Sequence, residues 1–212
     1  MKAGSMNIVF VTTVLAAVFA GQLAGTTEQD ALVEQDALVE QDALVNFQNQ
    51  KEASAWSAVN DGVMGGRSVG KIKSTTDGAM QFFGTLSLEN NGGFASIRSG
   101  RLQVEMDPQE AFRVRVKGDG RTYIFNLYPK TRRMAFSYRA SLPTVAGEWT
   151  EVTVPLEDFT PTSFGRRVQN KGPLSPDQIN GIGFMLSDKK AGPFELEIQW
   201  VRIEPASVED SP

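Results

Sequence analysis

Phe112, Val114 and Val116 alternate with Arg113, Arg115 and Lys117, a period of two that lets a strand bury one face and wet the other. The same alternation returns in Phe194, Leu196, Ile198 and Trp200 against Glu195, Glu197 and Gln199, and in Val152 and Val154 against Glu151 and Thr153. Tyr123 to Tyr128, closed by Pro129, and Met134 to Leu142 read as further strands. Ile182 to Leu186 is nearly all apolar, as suits a strand covered on both faces. Gly118-Asp-Gly120 and other Gly, Pro, Asn and Asp clusters separate these runs. Only Pro176 to Ile179, with Ser175 as its cap, reads as a helical turn. Strands at this spacing without a long helical pattern predict an all-β domain, a β-sandwich or jelly roll. About 150 residues bury roughly 70% of their unfolded surface, enough for such a domain to fold without disulfides.

That matters because the chain has no Cys, and it has no His either. A Ser-His-Asp triad, a Cys nucleophile, a disulfide framework and the usual zinc, haem and iron–sulfur ligand sets are all excluded. No phosphate-binding GxxxxGK[ST], no GxGxxG at a strand-to-helix turn and no DxDxDG calcium loop is present. These exclusions favour a non-enzymatic binding protein with no cofactor and no metal. The net charge of −4 is unevenly spread, because Glu28 to Val45 carries six acidic groups and no basic one. The remainder is mildly basic, too weakly so for a nucleic-acid footprint.

At the N-terminus Lys2 precedes an apolar run, Met6 to Ala20, with Val18 and Ala20 placed for cleavage before Gly21. Its 15 residues fall short of the ~20 that cross a bilayer. The expectation is a signal peptide at 1–20 and an exported protein, periplasmic or secreted. The alternative is a membrane-anchored one, held close to the bilayer by an uncleaved leader. EQDALV then occurs three times unchanged, at Glu28–Val33, Glu34–Val39 and Glu40–Val45. Six residues turn a helix by about 600°, so successive Leu residues point about 120° apart and no apolar stripe forms. Residues 21–50 therefore read as a solvated linker, 51–205 as the sandwich and 206–212 as a tail.

Three segments carry a family resemblance: WSAVNDGVMGGRS from Trp56 to Ser68, FGTLSLENNGGFASIR from Phe83 to Arg98, and IGFMLSD from Ile182 to Asp188 with GPFELEI from Gly192 to Ile198. In order and spacing they resemble the complex I intermediate-associated protein 30 family over about residues 56–205. The resemblance implies a galactose-binding-domain-like jelly-roll β-sandwich. It also implies a non-enzymatic assembly role, as in family members that assist assembly of the respiratory NADH dehydrogenase in mitochondria. Some related sandwiches bind carbohydrate. Two readings follow: an exported module that binds a protein partner and assists assembly, or a carbohydrate-binding module of the periplasm or cell envelope.

The candidate binding residues lie in the loops these segments contain. Asn60-Asp61-Gly62 and Gly65-Gly66, followed by Arg67 and Ser68, bracket Val63 and Met64, either as a ligand-contacting loop or as a tight turn in which Asp61 caps backbone. Asn90 and Asn91, with Gly92 and Gly93, give an ordinary hairpin signal, and their amides would also suit sugar hydroxyls. Arg98 in FASIRS reads as a buried cation facing Asp61 or Asp188. Arg166-Arg167 and Lys189-Lys190 are either an anion-binding edge or a solvated cluster. Trp56, Trp149 and Trp200 fall in strand patterns as core or sheet-face residues, and Tyr128 or Phe164 would serve as a sugar platform if exposed.

Overall fold

The computed structural model describes residues 43–49, 51–131 and 136–206. The leader and all but the end of the third repeat lie outside the described residues, as do Met134 and Ala135 of one expected strand and most of the tail. Among the described residues thirteen strands follow in order: β1 (Val45–Asn46), β2 (Ser57–Asn60), β3 (Val69–Ser74), β4 (Met80–Leu86), β5 (Ala95–Arg98), β6 (Glu110–Gly118) and β7 (Thr122–Pro129). After these come β8 (Ser137–Pro143), β9 (Trp149–Pro155), β10 (Thr160–Ser163), β11 (Arg166–Arg167), β12 (Ile179–Leu186) and β13 (Gly192–Pro205). They form two antiparallel sheets. One runs β3-β4-β13-β6-β9 with β1 on β13, and the other runs β11-β10-β8-β7-β12-β5-β2.

The alternating residues behave as their period demands. Phe112, Val114 and Val116 of β6 and Leu196 and Ile198 of β13 are buried against Phe125, Leu127, Ile182 and Phe184 of the other sheet. Phe125 lies between the sheets, edge-on to Phe112 at 5.5 Å and stacked on Phe184 at 5.2 Å, and Phe184 in turn stacks on Trp56 at 5.9 Å. Such pairs add about 0.5–1.5 kcal/mol each beyond the area they bury. On the outer face of the six-stranded sheet the intervening cations meet carboxylates: Arg113 and Arg115 pair with Glu151 at 2.8 Å, and Lys117 with Glu197 at 3.1 Å.

Three local expectations change. A register shift in β13 between Ile198 and Trp200 moves the phase, so Val201 rather than Trp200 faces the interior between the sheets, and Trp200 is buried on the other face with Arg202 over its ring at 3.8 Å. Ser175 precedes the short helical turn Pro176–Gln178, but its hydroxyl bonds to the Asp177 carboxylate and not to backbone. The sandwich also engages the chain upstream of residue 51. Val45, the last residue of the third repeat, pairs with Val201 and is buried; the Phe47 amide donates to Gln199 at 2.9 Å, and its ring packs on Trp56 at 5.4 Å.

Phe47 therefore belongs to the core. Phe47→Ala should destabilise the domain by about 3–5 kcal/mol, read as a shift in the urea midpoint, since its deletion leaves a cavity against Trp56.

Candidate functional site

Asp61 opens a short 3-10 turn, Asp61–Met64, and is 0% exposed. Its carboxylate accepts from the Ser68 amide at 2.8 Å and the Ser68 hydroxyl at 2.6 Å. From the facing loop it accepts from the Gly93 amide at 2.7 Å and the Phe94 amide at 3.3 Å. Burial alone would push this carboxyl up, but the hydrogen bonds to Ser68, Gly93 and Phe94 outweigh it and hold the group below its ordinary value. The surrounding glycines follow from the same contact. A Cβ at Gly66 would lie 2.3 Å from the Asp61 carboxyl carbon, and one at Gly92 would lie 2.6 Å from its oxygen. Asp61 is thus a clamp between two loops, with its oxygens used internally. Its turn leaves Val63 75% and Met64 52% exposed.

The other expected residues divide. The Asn60 amide donates to the Gly70 carbonyl at 3.1 Å, bracing the same loop. Arg67 pairs with Glu89 at 3.0 Å, but the two side chains are 67% and 64% exposed, so the pair contributes little. Asn90 takes a left-handed conformation (φ 56°), which Asn tolerates. The segment around Asn90 and Asn91 is not the hairpin its sequence suggests. It is a short turn carrying the chain from β4 in one sheet to β5 in the other, where Asp61 fastens Gly93 and Phe94. Asp188 faces Arg121, not Arg98, in a bidentate pair at 2.9 and 2.6 Å. Arg121 also donates to the carbonyls of Pro193 and Lys190, tying the turn after β6 to the one after β12. Burial opposes ionisation of Asp188, but the bond from Arg121 holds its pKa down. Arg121 escaped sequence analysis; its one signal is an Arg directly after the Gly118-Asp-Gly120 turn.

Arg98 lies over the Tyr128 ring at 4.8 Å, and both line a groove of about 720 Å³. The groove crosses the outer face of the seven-stranded sheet, from Val59 on β2 through Arg98, Met185, Tyr128 and Arg139 to Thr162 on β10. Gly183 makes its floor flat. A Cβ there would stand 2.4 Å from the Ile97 carbonyl oxygen and 3.0 Å from the Tyr128 ring. Arg139 Nε donates to the Ser137 hydroxyl at 3.1 Å, which donates to Asn126 at 3.0 Å. Burial pushes the Tyr128 phenol up, opposed by the charges of Arg98 and Arg139. Burial pulls Arg139 down, and Arg98 adds to that while Tyr128 opposes it. The clamped loops bound one end through Val63, Met64 and Gly93, and Phe164, 82% exposed with φ 47°, stands at the other. Arg139 was missed because an outward Arg in an alternating strand looks the same whether it faces solvent or a groove.

Among the described residues the lining carries Arg98, Arg139 and Lys189 and no carboxylate, so these residues give no acid–base pair of the kind glycoside hydrolysis uses. Among the described residues no three carboxylates gather as a metal site would require. What the groove can do is hold a ligand with cations, hydroxyls and apolar side chains.

The family model described as Complex I intermediate-associated protein 30 matches residues 45–198. The chain is similar to "Complex I intermediate-associated protein 30, mitochondrial" of Mus musculus, 32% identical over 77% of this chain and 57% of the relative. The protein of the same name from Neurospora crassa is 28% identical over 56% of this chain and 49% of the relative. The chain thus spans about half the length of the curated relatives it matches. Among solved structures, the fold resembles the Family 11 carbohydrate-binding module of a cellulosomal cellulase of Clostridium thermocellum (17% identity, 74% of this chain and 91% of that one, TM-score 0.55). It also resembles an agarase (11% identity, 79% of this chain and 25% of that one, TM-score 0.54). At these identities the likeness is one of fold. The relatives' mitochondrial location overturns the expectation of an exported, periplasmic or secreted protein. A basic residue before an apolar run reports affinity for an apolar environment, not which membrane receives it.

The clamp has a testable pH signature. Asp61→Asn should cost about 1–3 kcal/mol at pH 7 by leaving buried donors poorly paired. Because the carboxyl is held below its usual 3.8, its stabilisation is present above that pH and is lost as the pH falls through the lowered value. Urea unfolding of the two proteins should therefore converge in acid, below about pH 4.

Proposed function

Since the chain belongs to the Complex I intermediate-associated protein 30 family, we propose that it is a non-enzymatic module that binds a protein partner during assembly of complex I. The observation that carries this reading is the gathering of Val63, Met64 and Phe164, all strongly exposed, around one groove. Large exposed apolar side chains along one groove are what protein contact sites present, and water leaves them on binding. Among the described residues the groove has cations and hydroxyls but no carboxylate, which supports binding over catalysis.

A second reading, a carbohydrate-binding module, is favoured by one feature. Phe164 stands exposed beside Thr162 and Ser163, a ring next to polar groups at the mouth of an open trough.

Two variants separate the readings, Val63→Ser with Met64→Ser, and Phe164→Ser. None of the three side chains is buried, so circular dichroism should not change. Chemical crosslinking in respiring cells should recover complex I assembly intermediates with the native chain and at least tenfold less with both variants. Undiminished capture by the variants would move the contact face elsewhere. Saturable binding of soluble β-glucan or agar oligosaccharides in calorimetry, lost in Phe164→Ser alone, would favour the second reading.

A further inference from the structure

We infer that the β10–β11 hairpin is a membrane-docking tip, with Phe164 entering the interface of a bilayer and Arg166 and Arg167 meeting anionic lipid headgroups. The inference goes beyond the protein-binding reading and, Phe164 apart, stands on different side chains.

The tip is built against ordinary preference. Ser163 pairs with Arg166, so the hairpin turns on two residues, Phe164 and Gly165, both left-handed (φ 47° and 74°). Asn-Gly suits such a turn, whereas a bulky ring in that region is disfavoured. The ring gains no burial for it, being 82% exposed, the highest value among the exposed large apolar residues. A Cβ on Gly165 would meet nothing within 4 Å, and the ladder between β10 and β8 ends at Thr162, so the turn stands clear of the sheet. A disfavoured conformation that holds an apolar ring in water points to contact with something outside the fold.

The charge around the tip has one sign. The whole chain carries −4, yet residues 120–147 and 159–176, which supply β7, β8, β10 and β11, contain eight Lys and Arg and no Asp or Glu. Thr162 lies opposite Ser137 and Leu127 opposite Tyr138, so the end of β10, the start of β8 and the end of β7 share one end of the sheet. Lys130 follows β7 there, and Lys171 lies over the Phe136 ring at 5.3 Å. Arg166 and Arg167 are exposed, and neither forms an ion pair among the described residues. One acid, Asp177, comes close, its carbonyl accepting from Lys130, and Ser175 and Gln178 bond its carboxylate.

The arrangement of these groups selects the occupant. Adjacent strand residues point to opposite faces, so Arg166 and Arg167 flank the ring on both sides of the hairpin. A groove in a partner protein would cover one side of such a tip. A single-stranded nucleic acid follows a basic groove with rings in series, not one ring on a protruding turn. A bilayer surrounds the tip, takes an aromatic ring at its interface and offers phosphates all round it. One apolar group and a few cations hold a membrane together where neither suffices alone.

The full chain carrying Phe164→Trp should be mixed with phosphatidylcholine vesicles containing about 40 mol% phosphatidylglycerol, with pure phosphatidylcholine vesicles, and with oligouridylate. Brominated acyl chains quench a Trp that reaches the interface, so the signal reports residue 164 whatever else on the chain touches lipid. The native chain supplies the background of Trp56, Trp149 and Trp200. The expected result is saturable quenching on anionic vesicles, at least tenfold weaker on neutral ones. Raising NaCl from about 0.05 to 0.5 M should release it, as screening requires. Arg166→Gln with Arg167→Gln should weaken it at least tenfold. Lys71→Gln with Lys73→Gln removes the same charge from the edge of the other sheet and should leave it within twofold. All four side chains are exposed, so circular dichroism should not change. Vesicle binding without quenching at residue 164, equal quenching on neutral vesicles, indifference to the Arg pair, or tighter binding of oligouridylate would overturn the inference. Arg166 and Arg167 do not line the groove, so those failures leave the crosslinking loss in Val63→Ser with Met64→Ser standing. Absence of that crosslinking loss would sink the protein-contact face and leave the vesicle result untouched.

Discussion

The arrangement around the groove depends on one buried carboxylate. Asp61 sits where β2 ends, the chain turns toward β3, and the crossing from β4 to β5 passes alongside. An ionised group with no exposure is tolerated only when its oxygens are fully occupied, and Ser68, Gly93 and Phe94 occupy them. The spacing of the sequence follows from that need. Gly66 and Gly92 leave room for the carboxyl, Gly65 takes the left-handed turn (φ 88°), and Ser68 returns to bond the oxygens twice. With Asp61 turned inward, the apolar side chains the loop shows to solvent are Val63 and Met64, beside the exposed Arg67. The exposed pair is a consequence of the buried acid.

Much of the fold was legible because it rests on local periodicity. β6 and β9 stand close to where alternation puts them, since a strand with one wet face cannot hide its period. What failed was non-local. Nothing around Asn90 distinguishes a hairpin from a crossing between sheets, because both need the same turn residues, and only Asp61, far away in sequence, decides. The phase change near Trp200 escaped for a related reason: one extra residue in β13 is invisible until its partner strand is known.

The site was less legible than the fold. Asp61 and Ser68 were found, with the tight-turn alternative describing their geometry. Asp188 was found with the wrong partner, because its pairing with Arg121 joins two turns distant in sequence. Arg139 and the groove were not found. Arg113 and Arg139 look alike in sequence, each an outward cation in an alternating strand, yet one meets Glu151 and the other faces a trough. Sequence periodicity says which way a side chain points, but not what stands opposite.

The seating of Val45 on β13 bears on the history of the repeat. Every copy of EQDALV ends in the same residue, so the hexamer adjoining Asn46 delivers an identical Val to the sheet however many precede it. Gain or loss of whole copies would therefore lengthen or shorten the chain upstream without changing the residue delivered to β13. Slippage during replication, ordinarily a threat to a packed domain, is silent here as long as it moves in units of the repeat.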